Sequence, residues 1–236
     1  EAAARAPIGV TGADFALAET GTLILISGAG RPRSTSLLPD THVAVFDRER
    51  LEWLNGQWIR RLDDDDLVAR LLPFLEAEHI AGRIDRTPSA DEVQILLPMI
   101  RERLPILGAI GDLVGFLWVD QLTVDPALLV PKRWDVATTR EGLSAARAAI
   151  ADTGAVSFEA DELEPPLRAL AEARGWKAGD LFMAIRVAVT GRTATPPLFD
   201  TLVALGRERT LSRLDAAIAT LAAAASGEGS GSSEGG

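Results

Sequence analysis

The sequence has no cysteine. That excludes disulfides and thiolate metal sites, and it suits a reducing compartment such as the cytoplasm. Histidine is reduced to two residues, His42 and His79. With no second histidine at helical spacing, a zinc ion would have to lean on carboxylates, so no metal is expected. No run approaches the roughly 18 apolar residues of a spanning helix, and no membrane partner is expected. The opening "EAAARAPIGV" lacks a basic stretch leading into an apolar one, so it does not read as a secretory signal. It starts at Glu1 rather than Met, as a fragment or a processed chain would. Basic charge is also scarce. The net charge of −10 argues against a general polyanion binder, and no DNA partner is expected.

What remains is a chain of 236 residues, 47% hydrophobic and 25% charged, enough for one large or two small domains with a real core. Its character changes along its length. "TLILIS" (22–27) and "THVAVF" (41–46) are β-type runs joined by the Gly/Arg/Ser loop "SGAGRPRSTS" (27–36). Residues 11–20, "TGADFALAET", are expected to form a short helix. This α/β segment is close to the length below which small chains need staples, roughly 40 residues. From residue 47 the apolar spacing becomes helical. Helices are expected over 47–62, over 63–80 with a kink or break at Pro73, over 87–107 capped by Thr87 or Ser89, over 137–154 with Gly154 as C-cap, over 162–176 with prolines near the first turn, and over 196–225, broken at Gly206. The tail 226–236 reads as flexible and disordered. The expected fold class is mainly α: a helical bundle of two subdomains, 46–160 and 161–225, preceded by an α/β fragment, 1–45.

Several clusters invite a chemical reading and most decline it. "SGAGRPRS" (27–34) could cradle a phosphate with its amides, yet it lacks the P-loop and dinucleotide fingerprints and reads as a hairpin loop. "DDDD" (63–66) lacks the alternation and glycine of a calcium loop and reads as a solvated helix start. His79 with Glu76 and Glu78 has no nucleophile or metal ligand beside it. Ser34 and Ser36, near His42, form no recognisable triad. No catalytic residue is expected.

Two stretches keep a sharper reading open. "RER" (101–103) falls late in a predicted helix. Its arginines either complement the helix dipole or let Arg103 reach a base or phosphate with its planar fork of donors. "AIRVAVTGRTATPPLF" (184–199) sets Arg186 inside an apolar run, where a charge should be paired or functional. Beyond the turn come Thr190, Thr193, Thr195, a proline pair and Leu198. An arginine, a hydroxyl and an apolar side chain would suit an unstacked RNA loop. Trp176 and Phe199 could stack on a base, but read as core. Residues 165–213 hold eight Arg/Lys against four Asp/Glu, so a basic face could sit in this acidic chain.

These residues bring a family into view. "FDRERLEWLNGQWIRRL" (46–62) resembles the opening of the anticodon-binding region of bacterial glutamyl-tRNA synthetases. "GDLFMAIRVAVTGRTATPPLFDTLVALGRERTLSRLDAAI" (179–218) resembles its end, and "MIRERLPIL" and "LVGFLWVD" lie between in the same order. The resemblance covers about residues 46–222. It implies a helical cage that reads the anticodon of a glutamate tRNA as its partner. It also implies roles by position: Arg186 at the first anticodon base, Thr195 and Leu198 around the central uracil, and Arg103 at the third base, which separates glutamate from glutamine anticodons. The family ligates glutamate to tRNA with ATP and Mg²⁺, but neither the His-Ile-Gly-His-like motif nor the Lys-x-Ser-Lys-like loop is in this sequence. "RSTS" (33–36) is no substitute, so no cofactor site and no glutamate activation are expected of this chain.

Residues 8–45, with "GADFALAETGT" and "SLLPDTHVAV", resemble the C-terminal part of LUD-domain proteins of the lactate-utilisation type. The sequence therefore reads as a chimera joined at "FDRER". The expected function is tRNA anticodon recognition by a monomeric, cytoplasmic module. The rival readings are a LUD-type protein fragment and a non-functional fusion.

Overall fold

The computed structural model describes residues 8–12, 15–17, 22–24, 41–45, 48–152 and 158–228. The loop 27–36 with its serines, Gly154 and the tail from 229 lie outside the described residues. The chain falls into two compact units. One comprises Glu1–Asp63 with Arg101–Leu107, the other Asp64–Ile100 with Gly108–Gly236.

In the first unit, β1 (Ile8–Gly12) pairs in parallel with β4 (Thr41–Val45), Ile8 opposite Thr41 and Gly12 opposite Val45. β2 (Phe15–Leu17) pairs antiparallel with β3 (Thr22–Ile24). Two expectations change here. Among the described residues of 11–20 there is no helix: 11–12 end β1 and 15–17 form β2. Gly12, inside the segment, and Gly21, just after it, weaken a helix, whereas Phe15 and Leu17 alternate as a strand requires. Nor do the runs at 22–24 and 41–45 form a hairpin, since each pairs with a different earlier strand. Parallel partners need a long crossover, and the 28 positions between Gly12 and Thr41 supply the length. Helix α1 (Arg48–Arg61) follows, ending on Arg60 and Arg61, which suit its negative pole. The 3₁₀ turn Arg101–Arg103 packs against it.

The second unit is helical: α2 (Asp64–Ile80), α3 (Ala90–Ile100), α4 (Ile110–Val114), α5 (Pro126–Leu129), α6 (Val136–Asp152), α7 (Ala160–Ala173), α8 (Ala178–Thr190), α9 (Leu198–Leu205) and α10 (Arg207–Glu228). Asp64, Asp65 and Asp66 fill the first turn of α2, where the dipole favours them. Pro73 does not break α2. It sits on the exposed side, while Leu67, Val68, Leu71 and Leu75 bury the opposite stripe, and that burial outweighs one missing ladder bond. Ser89 is the cap of α3. Its hydroxyl accepts from the Glu92 amide at 3.3 Å, and its own amide donates to Glu92 Oε2 at 2.9 Å, a reciprocal capping box. That helix stops at Ile100, so "RER" is a separate 3₁₀ turn rather than a helix end. α7 starts at Ala160, before its prolines, because Asp161 and Glu162 favour the first turn and Leu163 and Leu167 begin the buried stripe there. Gly206, at φ +82°, separates α9 from α10, and α10 runs on to Glu228, past the expected helix end.

α10 lies along α6 and α8, while α7 packs on α6, α8 and α9. Leu143, Ile150, Leu163, Leu181, Leu202 and Leu214 are at most 1% exposed between them. This layer fixes the end of α8 and the start of α9, the two elements that carry the motif at 184–199. No described helix is long and apolar enough to cross a membrane.

Candidate nucleic-acid interface

α8 ends where its sequence demands. Gly191 takes φ +70° and its amide closes on the Val187 carbonyl at 2.8 Å, a left-handed cap that a side chain would strain. Thr190 locks the turn from inside. Its hydroxyl donates to the Arg186 carbonyl at 2.7 Å and accepts from the Arg192 amide at 3.2 Å. The chain then passes through Thr195 to Pro196 and Pro197, and α9 begins. Thr201 Oγ1 donates to the Pro197 carbonyl at 2.8 Å and secures that first turn.

Arg186 spans this bend. Nη1 donates to Thr195 Oγ1 at 2.5 Å, to the Pro196 carbonyl at 2.9 Å and to the Thr195 carbonyl at 3.3 Å. Among the described residues these bonds all use Nη1, so Nε and Nη2 are left over. The side chain is half-buried. Burial pushes its pKa below the ordinary arginine value, and no carboxylate pulls it back. The guanidinium is therefore a partly desolvated cation held by neutral oxygens, and its positive charge is not neutralised locally.

The sequence groups Arg186, Thr195 and Leu198, but the structure separates their roles. Arg186 and Thr195 meet directly. Leu198 is 4% exposed; its side chain belongs to the core and seats the start of α9. Of the two candidate stacking residues, Trp176 packs against Trp134 at 5.1 Å and Phe199 meets Phe182 edge-on at 5.2 Å. Both are partly buried, in line with a packing role.

Arg103 belongs to the first unit and has a different setting. The two residues before it in the 3₁₀ turn are pinned to the end of α1 and the residue that follows that helix. Arg101 Nη1 donates to the Leu62 carbonyl at 2.5 Å, and Arg60 Nε donates to Glu102 Oε2 at 2.6 Å. Arg103 itself is exposed. With Trp53, Gly56, Arg60 and Pro105 it lines a shallow groove of about 220 Å³, smaller than the roughly 300–1,000 Å³ of a drug-sized pocket.

The local excess of basic residues over 165–213 does not add up to a basic face. Arg168 pairs with Glu164 and Arg174 with Glu141. Arg207 and Arg209 donate to the carbonyls of Ala151 and Leu117. Arg213 is 6% exposed and donates to the carbonyls of Val189, Phe116 and Val119 at 2.6, 2.8 and 2.5 Å. Burial first, then Arg209, pushes its pKa down to about 10. Two of these arginines are thus paired with carboxylates, and Arg207, Arg209 and Arg213 are bonded to main-chain carbonyls at or near helix ends. The role of Arg213 escaped sequence reasoning, though a signal existed: helical spacing sets it in line with Ala217 and Leu221, both buried.

The other clusters stay structural. Glu78 pairs with Arg83, which holds its carboxyl below the usual range. His79 Nδ1 lies 3.2 Å from the Ile84 carbonyl. Among the described residues no group of three or more His, Asp or Glu could hold a metal.

Comparison with known proteins gives the family and the fold. Residues 66–218 match the model of the anticodon binding domain, and residues 1–52 match that of the LUD domain. The glutamate–tRNA ligase of Roseiflexus castenholzii is 48% identical over 184 residues, covering 77% of this chain and 35% of that protein. The glutamate–tRNA ligase of Chloroflexus aurantiacus is 42% identical over 181 residues, covering 75% and 36%. The chain thus spans about a third of the length of the curated relatives it matches. The crystal structure of a glutamate tRNA ligase from Elizabethkingia meningosepticum, in complex with its amino acid, shares the fold at TM-score 0.60 and 18% identity, over 88% of this chain and 45% of that one. The "FDRER" junction is shared ground, because the LUD match runs to residue 52 while the resemblance to the ligases begins at about 46. With more than half of its residues in the match, the chain belongs to the anticodon-binding domain family.

Proposed function

We propose that this chain reads the anticodon of a glutamate tRNA, as the anticodon-binding part of a glutamate–tRNA ligase. What carries the reading is Arg186: a half-buried cation with no carboxylate partner, braced by Thr195 and Pro196, with donors left for a base edge. In this reading Arg186 serves the first anticodon base and Thr195 the central uracil. Leu198, buried, acts by fixing the start of α9, and Arg103 serves the third base. Single-stranded loops are the usual targets of sequence-specific RNA recognition, because their unstacked edges accept such donors. The ligation of glutamate, with its ATP and Mg²⁺, belongs to the proposed whole enzyme and is assigned to no residue of this chain. The proposed setting is cytoplasmic and monomeric.

A gel-shift titration with a glutamate anticodon stem-loop tests the reading. Binding is expected to weaken when the central or third base is changed at fixed salt, since phosphate contacts alone do not distinguish sequences. Equal affinity for all the variants would sink it.

A further inference from the structure

The turn that carries Arg103 is held by a device that the family reading does not require. Arg60, on the last turn of α1, grips Glu102 at two points. Its Nε donates to the carboxylate at 2.6 Å and its Nη2 donates to the main-chain carbonyl at 3.3 Å. That carbonyl lies in the planar peptide unit joining Glu102 to Arg103. Holding it fixes the plane from which the Arg103 side chain departs. Arg101 anchors the other side of the turn on the Leu62 carbonyl. Gly56, one helical turn before Arg60, leaves the room: a Cβ there would come within 3.3 Å of Arg60 Nη1 and 3.7 Å of the Leu104 carbonyl. A glycine inside a helix is intrinsically unfavourable, so the space it leaves has a use.

The Arg60–Glu102 pair is exposed, at 32% and 65% for the two side chains. Surface pairs of that kind add little to stability. What this one adds is direction, because a guanidinium can hold two acceptors in a fixed fork and an ammonium cannot. We propose that Arg60 and Glu102 are positioning residues that aim Arg103, so that discrimination at the base Arg103 meets depends on the Arg60 fork as well as on Arg103. This rests on the third-base reading of Arg103.

The test uses the full chain and two anticodon stem-loops that differ only in the third anticodon base, cytosine or guanine. Affinity for each is measured with the parent, Arg103→Ala, Arg60→Lys, Glu102→Gln and the double variant Arg60→Lys/Arg103→Ala, with circular dichroism to confirm folding. Arg60→Lys keeps the charge and is expected to leave overall RNA affinity within about threefold, as a conserved phosphate-type attraction should. It is expected to cut the cytosine-to-guanine preference by several fold, toward the ratio left by Arg103→Ala. Glu102→Gln should give an intermediate loss, and the double variant should discriminate no worse than Arg103→Ala alone. If Arg60→Lys and Glu102→Gln keep the parent ratio while Arg103→Ala loses it, the positioning role is wrong and third-base reading stands. If Arg60→Lys weakens both RNAs equally, Arg60 serves the phosphates and the proposal falls. If Arg103→Ala leaves the ratio unchanged, the reading of Arg103 falls and takes this inference with it.

Discussion

Arg186 and Arg103 are assigned to the same task but are prepared for it in opposite ways. Arg186 is built into a helix end. A left-handed glycine, a threonine lock and a proline pair surround it, and its guanidinium rests on oxygens of the following turn. Arg103 stands exposed on a three-residue 3₁₀ turn whose first two residues are held by Leu62 and Arg60. The first arginine carries partial desolvation, which strengthens each hydrogen bond it can offer and makes it hard to replace. The second stays hydrated, so its value lies in direction. Arg213 marks the far end of the scale. It too bonds neutral carbonyls, but at 6% exposure it faces no ligand.

Substitutions can pull these settings apart, and the largest effect belongs to the reference point. Arg213→Met should strip three buried carbonyls of their donor and cost about 3–5 kcal/mol of stability, measured by urea unfolding. A loss under about 1 kcal/mol would mean that the carbonyls find other donors. Arg186→Ala is expected to lower stem-loop affinity by about 2–3 kcal/mol for every RNA that keeps the first anticodon base, and to cost about 1 kcal/mol of stability as well, since Thr195 and Pro196 lose a partner. An affinity loss with no change in stability would place Arg186 closer to the Arg103 type. Arg103→Ala should cost about 1–2 kcal/mol of affinity only when the third base is the preferred one, with stability within about 0.5 kcal/mol of the parent. Uniform weakening across RNAs would make it a phosphate contact.

The smallest effect concerns acid, and it probes the helical unit away from both arginines. The Arg86 guanidinium and the Ser89 amide hold the Glu92 carboxyl down at about 2, against an ordinary 4.5. A depressed carboxylate contributes stability above its unfolded value and loses that contribution as pH falls through its folded value. The acid limb of the stability curve between about 4.5 and 2 should therefore flatten in Glu92→Gln. The partial exposure of Glu92 keeps this change modest.

The helical part of the fold was largely legible before any coordinates. Apolar spacing located α1, α2, α6 and α7 to within a few residues, and Gly206 announced the break before α10, whereas the apolar run that forms α8 gave no helix expectation. The failures share a cause. The helix expected over 11–20 and the hairpin expected between 22–24 and 41–45 both failed because strand pairing decided them: β2 pairs with β3, and β4 pairs with the distant β1. Of the kink or break expected at Pro73, the break does not occur, because a single proline is a local signal and the buried stripe that overrides it is not. In the site, Arg186 and Thr195 could be named from their positions and proved to be in contact. The burial of Leu198 could not be foreseen, because one apolar residue after a proline pair has no periodicity of its own to show which way it faces.

By itself, then, the sequence determined that the body over 47–225 is mostly helical, where α1, α2, α6 and α7 lie, and which family it resembles, since caps, periods and motifs are properties of short stretches. Tertiary structure decided which arginines are spent on carbonyls, that Arg186 has no carboxylate beside it, and that Arg103 stands on a turn gripped by Arg60. Those facts depend on groups 9 to 97 positions apart in the chain, and a hydrogen bond is settled by distance in space, which no local pattern encodes.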